Sequence, residues 1–523
     1  MAKPQPNPAP VSSVPTRFLY LTAAIAGGVL MVVEILGAKM LAPYFGTSHF
    51  VWVAQIGVTM VALACGYFLG GRLADRSPRP GALFGAYLVA AAWCAGSVLA
   101  TEPVAYACLK FNLALGSVLA SIVLYFVPLT CMAMTVPFLI RAVSLSLTNL
   151  GSRVGTLSAV STVGSFLGTA GIGYVLIPLV ANSTTMFGCA GVLALLATIY
   201  FIAFARKLDA KAASNAGKLT AIWVWLGLSV FLAQRQETAK LGDAVELFRG
   251  NSHFGMLQVV QVSDTQRYYL NDFLAQNIYD PSAKQSTAMF TYMLAELARA
   301  YTPELKSALC IGMGVGIVPM DFARAGTSVE VVEINPAVVP VAEEFFDFDR
   351  TKVKLTIDDG RHFLNATTSR YDAVILDAFL GDSSPAHLMS REAFAAMSRC
   401  LNPDGVLVIN CFGELDPTRN YFTASLDKTL RAVFKSVKIH AAGNGNLFFV
   451  ASNQSALPRR REPDLEKVHV QARNNVQRAF ARELTVNPTE GILLTDNYNP
   501  VDYYDAANRE EWRKSLAFSM RRR

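Results

Sequence analysis

The chain has 523 residues, 52% of them apolar and only 16% charged, with a formal net charge of +7. Soluble proteins carry about 25% charged residues, and the deficit here lies in the first 235 residues, so a membrane half precedes a soluble half. The basic residues are scattered or sit in loops, which argues against a nucleic-acid groove and for loops facing anionic lipid.

Residues 1–16 are Pro-rich and polar and read as a disordered tail; no cleavage pattern closes the first apolar run. Apolar stretches follow at about 18–41, 50–71, 81–100, 114–140, 156–180, 183–204 and 218–234. Most reach the roughly 20 residues a helix needs to cross a bilayer, while the last is short. Arg72, Arg76 and Arg79 follow the second stretch, Arg141 and Arg153 the fourth, and Arg206, Lys207, Lys211 and Lys218 the sixth. The alternate loops, 42–49 and 181–182, carry no Lys or Arg, so the N-terminus is expected in the cytoplasm. A seventh crossing puts the rest of the chain outside. An interfacial seventh segment, which Trp223 and Trp225 suit, keeps it in the cytosol. Glu34 and Lys39 in the first stretch are either functional or a packing pair.

From residue 251 the pattern changes to short strands: 255–262, 266–272 and 273–280 alternate with turn residues and predict a small antiparallel sheet. A helix is predicted over 287–301, and then strands and helices alternate. Strands fall at 307–312, 328–334, 353–358, 371–377, 405–411, 436–441 and 446–452, with helices between most of them. That alternation predicts a doubly wound α/β sheet whose ligands bind off the carboxyl ends of the strands.

Four stretches fall at such ends. "GMGVG" carries Gly312, Gly314 and Gly316 out of the first strand, where glycine permits close backbone approach to a ligand. Glu333 ends the next strand and is placed to accept hydrogen bonds from ribose hydroxyls. "DDG" brings Asp359 and Gly360, where a carboxylate receives an adenine amino group, and "VILDAFLGDSSP" brings Asp377, Asp382 and Pro385. The glycine spacing is not G-x-G-x-x-G, which favours an adenosyl sulfonium over NAD. Eight cysteines form no CxxC and six histidines no HExxH, so neither a disulfide framework nor a catalytic metal is expected.

These motifs, together with "VEINP", "AAGNGNLFFV" and "LLTDNYNPVD", resemble the spermidine synthase (polyamine aminopropyltransferase) family in its membrane-fused branch, over about 251–505. The resemblance implies that Glu333 holds the ribose of decarboxylated S-adenosylmethionine, with Asp359 and Gly360 at the adenine and Pro385 on the nucleoside side of its loop. It implies Asp377 as the proton acceptor, and Asp382, Gln276, Asp272 and Tyr292 around the amine. The chain departs from the family at Val315, where an acid is usual, at Phe290–Thr291 in place of a Tyr–Gln pair, at Gly255 and at Leu380.

The implied reaction passes an aminopropyl group to an amine such as putrescine, giving spermidine and methylthioadenosine, with no cofactor beyond that co-substrate. The alternatives are S-adenosylmethionine-dependent methyl transfer and a non-catalytic polyamine sensor or exporter. The expected organisation is a tail (1–16), about seven membrane helices (17–235), a β-hairpin subdomain (236–285), a Rossmann-like methyltransferase-type domain (286–510) and a basic tail (511–523). Expected partners are a small-molecule polyamine, the adenosyl sulfonium and the lipid bilayer of the cell membrane, with no nucleic acid; a homodimer is left open, and the soluble half is placed on the cytoplasmic side.

Overall fold

In the computed structural model the described residues are 14–46, 49–76, 80–143, 150–205, 215–240, 244–379, 385–441 and 445–500. They divide into two compact units, Met1–Gly242 and Asp243–Arg523.

The first unit is helical: α1 (Thr16–Phe45), α2 (His49–Arg76), α3 (Gly81–Cys108), α4 (Leu113–Ala133), α5 (Thr135–Val143), α6 (Leu150–Gly171), α7 (Asn182–Tyr200) and α8 (Asn215–Lys240). Seven of its helical stretches are long and apolar enough to cross a membrane. The last was expected to be short. The helix α8 extends past both ends of that run, and the stretch suited to crossing is Ala216–Gln236, 21 residues. Small residues set the α1–α6 contact: a Cβ added to Gly28 would lie 3.0 Å from the Gly164 carbonyl oxygen, and one on Gly164 would run into the backbone of Ala24.

The second unit begins with a five-stranded antiparallel meander, β1 (Val245–Ser252), β2 (Gly255–Ser263), β3 (Gln266–Asn271), β4 (Leu274–Asp280) and β5 (Gln285–Ser286). Sequence periodicity yielded only the middle three. β1 was missed because its inward and outward positions are both partly exposed, which blurs the alternation. Asp272 and Phe273 join β3 to β4 with φ of 46° and 64°, the backbone a two-residue primed turn requires. Tyr269 pairs with Asn277 and Leu270 with Ala275, which leaves Gln276 as the extra residue of a bulge.

An eight-stranded sheet follows, built from β6 (Ser307–Ile311), β7 (Ser328–Glu333), β8 (Lys354–Ile357), β9 (Tyr371–Leu376), β10 (Leu401–Phe412), β11 (Ser436–Ala441), β12 (Asn446–Ser452) and β13 (Glu483–Leu484). The order is β13-β11-β12-β10-β9-β6-β7-β8, with β10, β9, β6, β7 and β8 parallel and β12 antiparallel between β10 and β11. Its strands are apolar on both faces, as a covered parallel sheet demands. Cys310, Val331, Ile375 and Val408 face one core, beneath α9 (Met289–Tyr301), α10 (Ile317–Arg324) and α11 (Val338–Phe345). Ile311, Val332, Leu376 and Ile409 face the other, with α12 (Gly360–Ala366), α13 (Arg391–Arg399) and α14 (Tyr421–Arg431). A last helix, α15 (Arg473–Ala481), joins the first core. This is a doubly wound α/β fold with an antiparallel edge formed by β12, β11 and β13. α12, α15 and β13 were not foreseen; the first is too short to show a helical period, though Asp359 caps it plainly.

Candidate active site

The strand order reverses between β6 and β9, the place where a doubly wound sheet opens a crevice. The N–H of Asp377 donates to Ile311 O at 3.0 Å, and that of Gly312 to Val332 O at 2.9 Å, so both residues leave the sheet at this point. Gly312 has a φ of 88°, and a Cβ there would run into the Asp377 carbonyl. Only glycine lets the two chains touch. Gly314 and Gly316 also hold positive φ, 54° and 83°.

Glu333 ends β7 and is buried. One carboxylate oxygen accepts from the Met313 N–H at 2.9 Å and the other from the Asn335 N–H at 2.8 Å. Burial pushes its carboxyl above the usual range, and these backbone donors pull it back. A carboxylate has about four acceptor positions, so the group can still take a ligand hydroxyl. The Asn335 side chain donates to Ser252 Oγ at 3.1 Å, which ties the β1–β2 turn of the meander to the end of β7.

Asp359 is the N-cap of α12; one oxygen accepts from the N–H groups of Arg361 and His362 at 2.8 and 3.1 Å. The other lies 3.1 Å from His387 Nε2. A Cβ on Gly360 would meet Ile311 at 2.6 Å, so this glycine is also required by packing. Asp358 takes the His362 ring at 2.7 Å, which lowers the acid and raises the imidazole. Pro385 precedes the short turn Ala386–Leu388 that carries His387.

Asp377 accepts from Asn410 Nδ2 at 2.9 Å, and Asn410 Oδ1 in turn accepts from Asn446 Nδ2 at 3.0 Å. Burial pushes the Asp377 carboxyl up to about 6, against the opposing pull of Asn410. Asn410, Asn446 and His387 were not foreseen. Asn410 was signalled only as a polar residue inside the apolar run "VLVINCF".

The residues expected around the amine are less gathered. Asp272 uses one oxygen to accept from the Met256 N–H at 3.0 Å, pinning its own hairpin. The Tyr292 hydroxyl donates to Ser286 O at 2.6 Å. Gln276 is half-buried at the bulge of β4. Asp382 lies outside the described residues. Val315 is buried in the core. Among the described residues no group of three His, Cys, Asp or Glu is placed to hold a metal ion.

The family described as the spermine/spermidine synthase domain matches residues 288–443. The second unit carries this match to the spermine/spermidine synthase domain. That family is one of transferases, and the matched stretch runs from α9 through β11. A probable polyamine aminopropyl transferase of Bifidobacterium longum is 29% identical over 201 residues, 38% of this chain and 43% of that protein. A polyamine aminopropyltransferase of Vibrio vulnificus is 34% identical over 140 residues, 25% of this chain and 46% of that protein. Putrescine N-methyltransferase 2 of Nicotiana tabacum is 32% identical over 126 residues, 23% of this chain and 36% of that protein. The chain thus spans less than half the length of these curated relatives.

Proposed function

We propose that this protein moves the aminopropyl group of decarboxylated S-adenosylmethionine to a polyamine such as putrescine, with Asp377 as the general base. The observation that carries this reading is a half-buried carboxylate at the reversal point of the sheet, raised to about 6 and held by a neutral amide. An alkylamine has a pKa of about 10 and arrives protonated, without a lone pair to attack. Asp377 takes that proton; the freed nitrogen bonds to the carbon beside the sulfonium, and the C–S electron pair leaves with sulfur as methylthioadenosine. Raising the carboxyl from its ordinary value shortens the uphill proton transfer by about two pH units, or about 3 kcal/mol. Glu333 holds the ribose and Asp359 the base, while Asp382, Gln276 and Asp272 serve the amine.

Product analysis tests the proposal. The purified protein, given decarboxylated S-adenosylmethionine and a panel of diamines, should release methylthioadenosine. No thioether nucleoside from any diamine would refute it.

Methyl transfer is the second reading. Val315 removes an acid that would repel the carboxylate of intact S-adenosylmethionine, and one relative is named a putrescine N-methyltransferase. Release of S-adenosylhomocysteine from intact S-adenosylmethionine would favour it.

We also propose that the seven apolar stretches make this a multi-pass protein of the cell membrane with a cytoplasmic N-terminus. The catalytic unit is assigned to the cytoplasmic side, where its co-substrate is made, so the seventh stretch, Ala216–Gln236, is assigned to the membrane interface and not to a crossing. Cleavage of that unit by protease added outside sealed, right-side-out vesicles would overturn the assignment.

A further inference from the structure

The segment Leu494–Asn499 runs beside the loop that leads from Pro385 to α13 and bonds to it repeatedly. Arg391 N–H donates to Leu494 O at 2.8 Å, and Asp496 N–H to Glu392 Oε2 at 2.9 Å. Asn499 Nδ2 donates to Ala386 O at 2.8 Å and to Met389 O at 3.4 Å. The Asp496 carboxylate accepts from Arg361 at 2.8 Å and from the Ser390 hydroxyl. Arg361 also donates to the His387 carbonyl and to Ser390 Oγ, both at 3.2 Å.

These links converge on Asp359. Its one oxygen is held by the Arg361 backbone N–H and its other faces the His387 ring. Arg361 and His387 approach it from two elements, and Asp496 fixes both: the guanidinium directly, the histidine through its carbonyl. An isolated exposed ion pair contributes little, but here the guanidinium is only 18% exposed and bridges two segments to a third.

We propose that residues 494–499 are a strap that aims the Asp359 carboxylate at the nucleoside base, with Asp496 and Arg361 as positioning residues. The strap lies beyond residue 443, where the family match ends. The proposal rests on the nucleoside-binding reading of the site and extends it to the segment that follows β13.

The test uses the full chain in detergent. Methylthioadenosine affinity is measured by calorimetry, and kcat and both KM values with decarboxylated S-adenosylmethionine and putrescine. D496N, which keeps the shape of the side chain, and D496A should each weaken methylthioadenosine by about tenfold, the effect of one charge-assisted hydrogen bond. The KM for the sulfonium should rise by the same factor, with kcat and the KM for putrescine within about twofold of wild type, and D496E should recover most of the loss. Unchanged nucleoside affinity in D496N, in a wild type that binds methylthioadenosine, refutes the strap alone. Equal losses in kcat and both KM values, with no recovery in D496E, also refute it. A wild type that binds no methylthioadenosine refutes the nucleoside reading, and the strap falls with it.

Discussion

Replacing Asp377 by Asn separates what the site needs for folding from what it needs for chemistry. The amide oxygen keeps an acceptor for Asn410, whose bond to Asp377 is 2.9 Å, so the Asn410–Asn446 link survives. What disappears is a charge. Burial moves this carboxyl from its ordinary 3.8 to about 6. Below about pH 4 the folded and unfolded states both carry the proton, and burying the group costs nothing through ionisation. Between about 4 and 6 the unfolded chain ionises first, and the folded state loses ground as the pH rises. Above about 6 the loss is complete, about 3 kcal/mol for a displacement of about two pH units. D377N should therefore unfold at a higher temperature than wild type at pH 8, and the gain should vanish near pH 4. At about 2–4 °C per kcal/mol, the ceiling on that gain is about 6–12 °C. Aminopropyl transfer should fall by about 10²–10⁴, the usual contribution of a general base. Thermal unfolding at several pH values and steady-state assays at saturating substrate measure both. A variant less stable than wild type at pH 8 would refute the burial argument, and unchanged turnover would remove Asp377 from the mechanism.

Three other outcomes follow from the same geometry. N410A removes the donor that holds Asp377 down, so the acid limb of the pH profile of kcat/KM should move to higher pH, and no movement would sink that role for Asn410. E333Q places an amide hydrogen where the Met313 or Asn335 N–H now donates; methylthioadenosine affinity should drop by about 10–100-fold with the fold kept, as calorimetry and circular dichroism would report. G312A forces a Cβ against the Asp377 carbonyl at a φ of 88°, and turnover should fall at least about tenfold by displacement of the base, with full activity excluding that close contact as a requirement.

The sequence made seven strands of the eight-stranded sheet legible because most are short apolar runs, and β6, β7, β8 and β9 each end at Gly or an acid. Glu333 and Asp377 could be placed at strand ends from the runs "VEVVE" and "DAVILD" alone. The contacts that hold these acids were not legible. Asn410 reaches Asp377 across the β9–β10 pairing, 33 residues apart in sequence. Asp496 reaches Arg361 across 135 residues, and no local pattern encodes either. Asp359 illustrates a different limit. Its position at a strand end was readable, yet its cap on α12 depends on a seven-residue helix too short to announce itself. Asp272 looked like a pocket acid by alignment of motifs, but the primed turn it occupies commits one oxygen to the Met256 N–H.

The partner of Asp377 is an amide, and an amide has the same charge at every pH. Dehydration raises the affinity of this carboxylate for its proton, and Asn410 lowers it. Site dryness becomes the tuning variable: an alkyl chain that expels water from the cleft strengthens the base at the moment of binding.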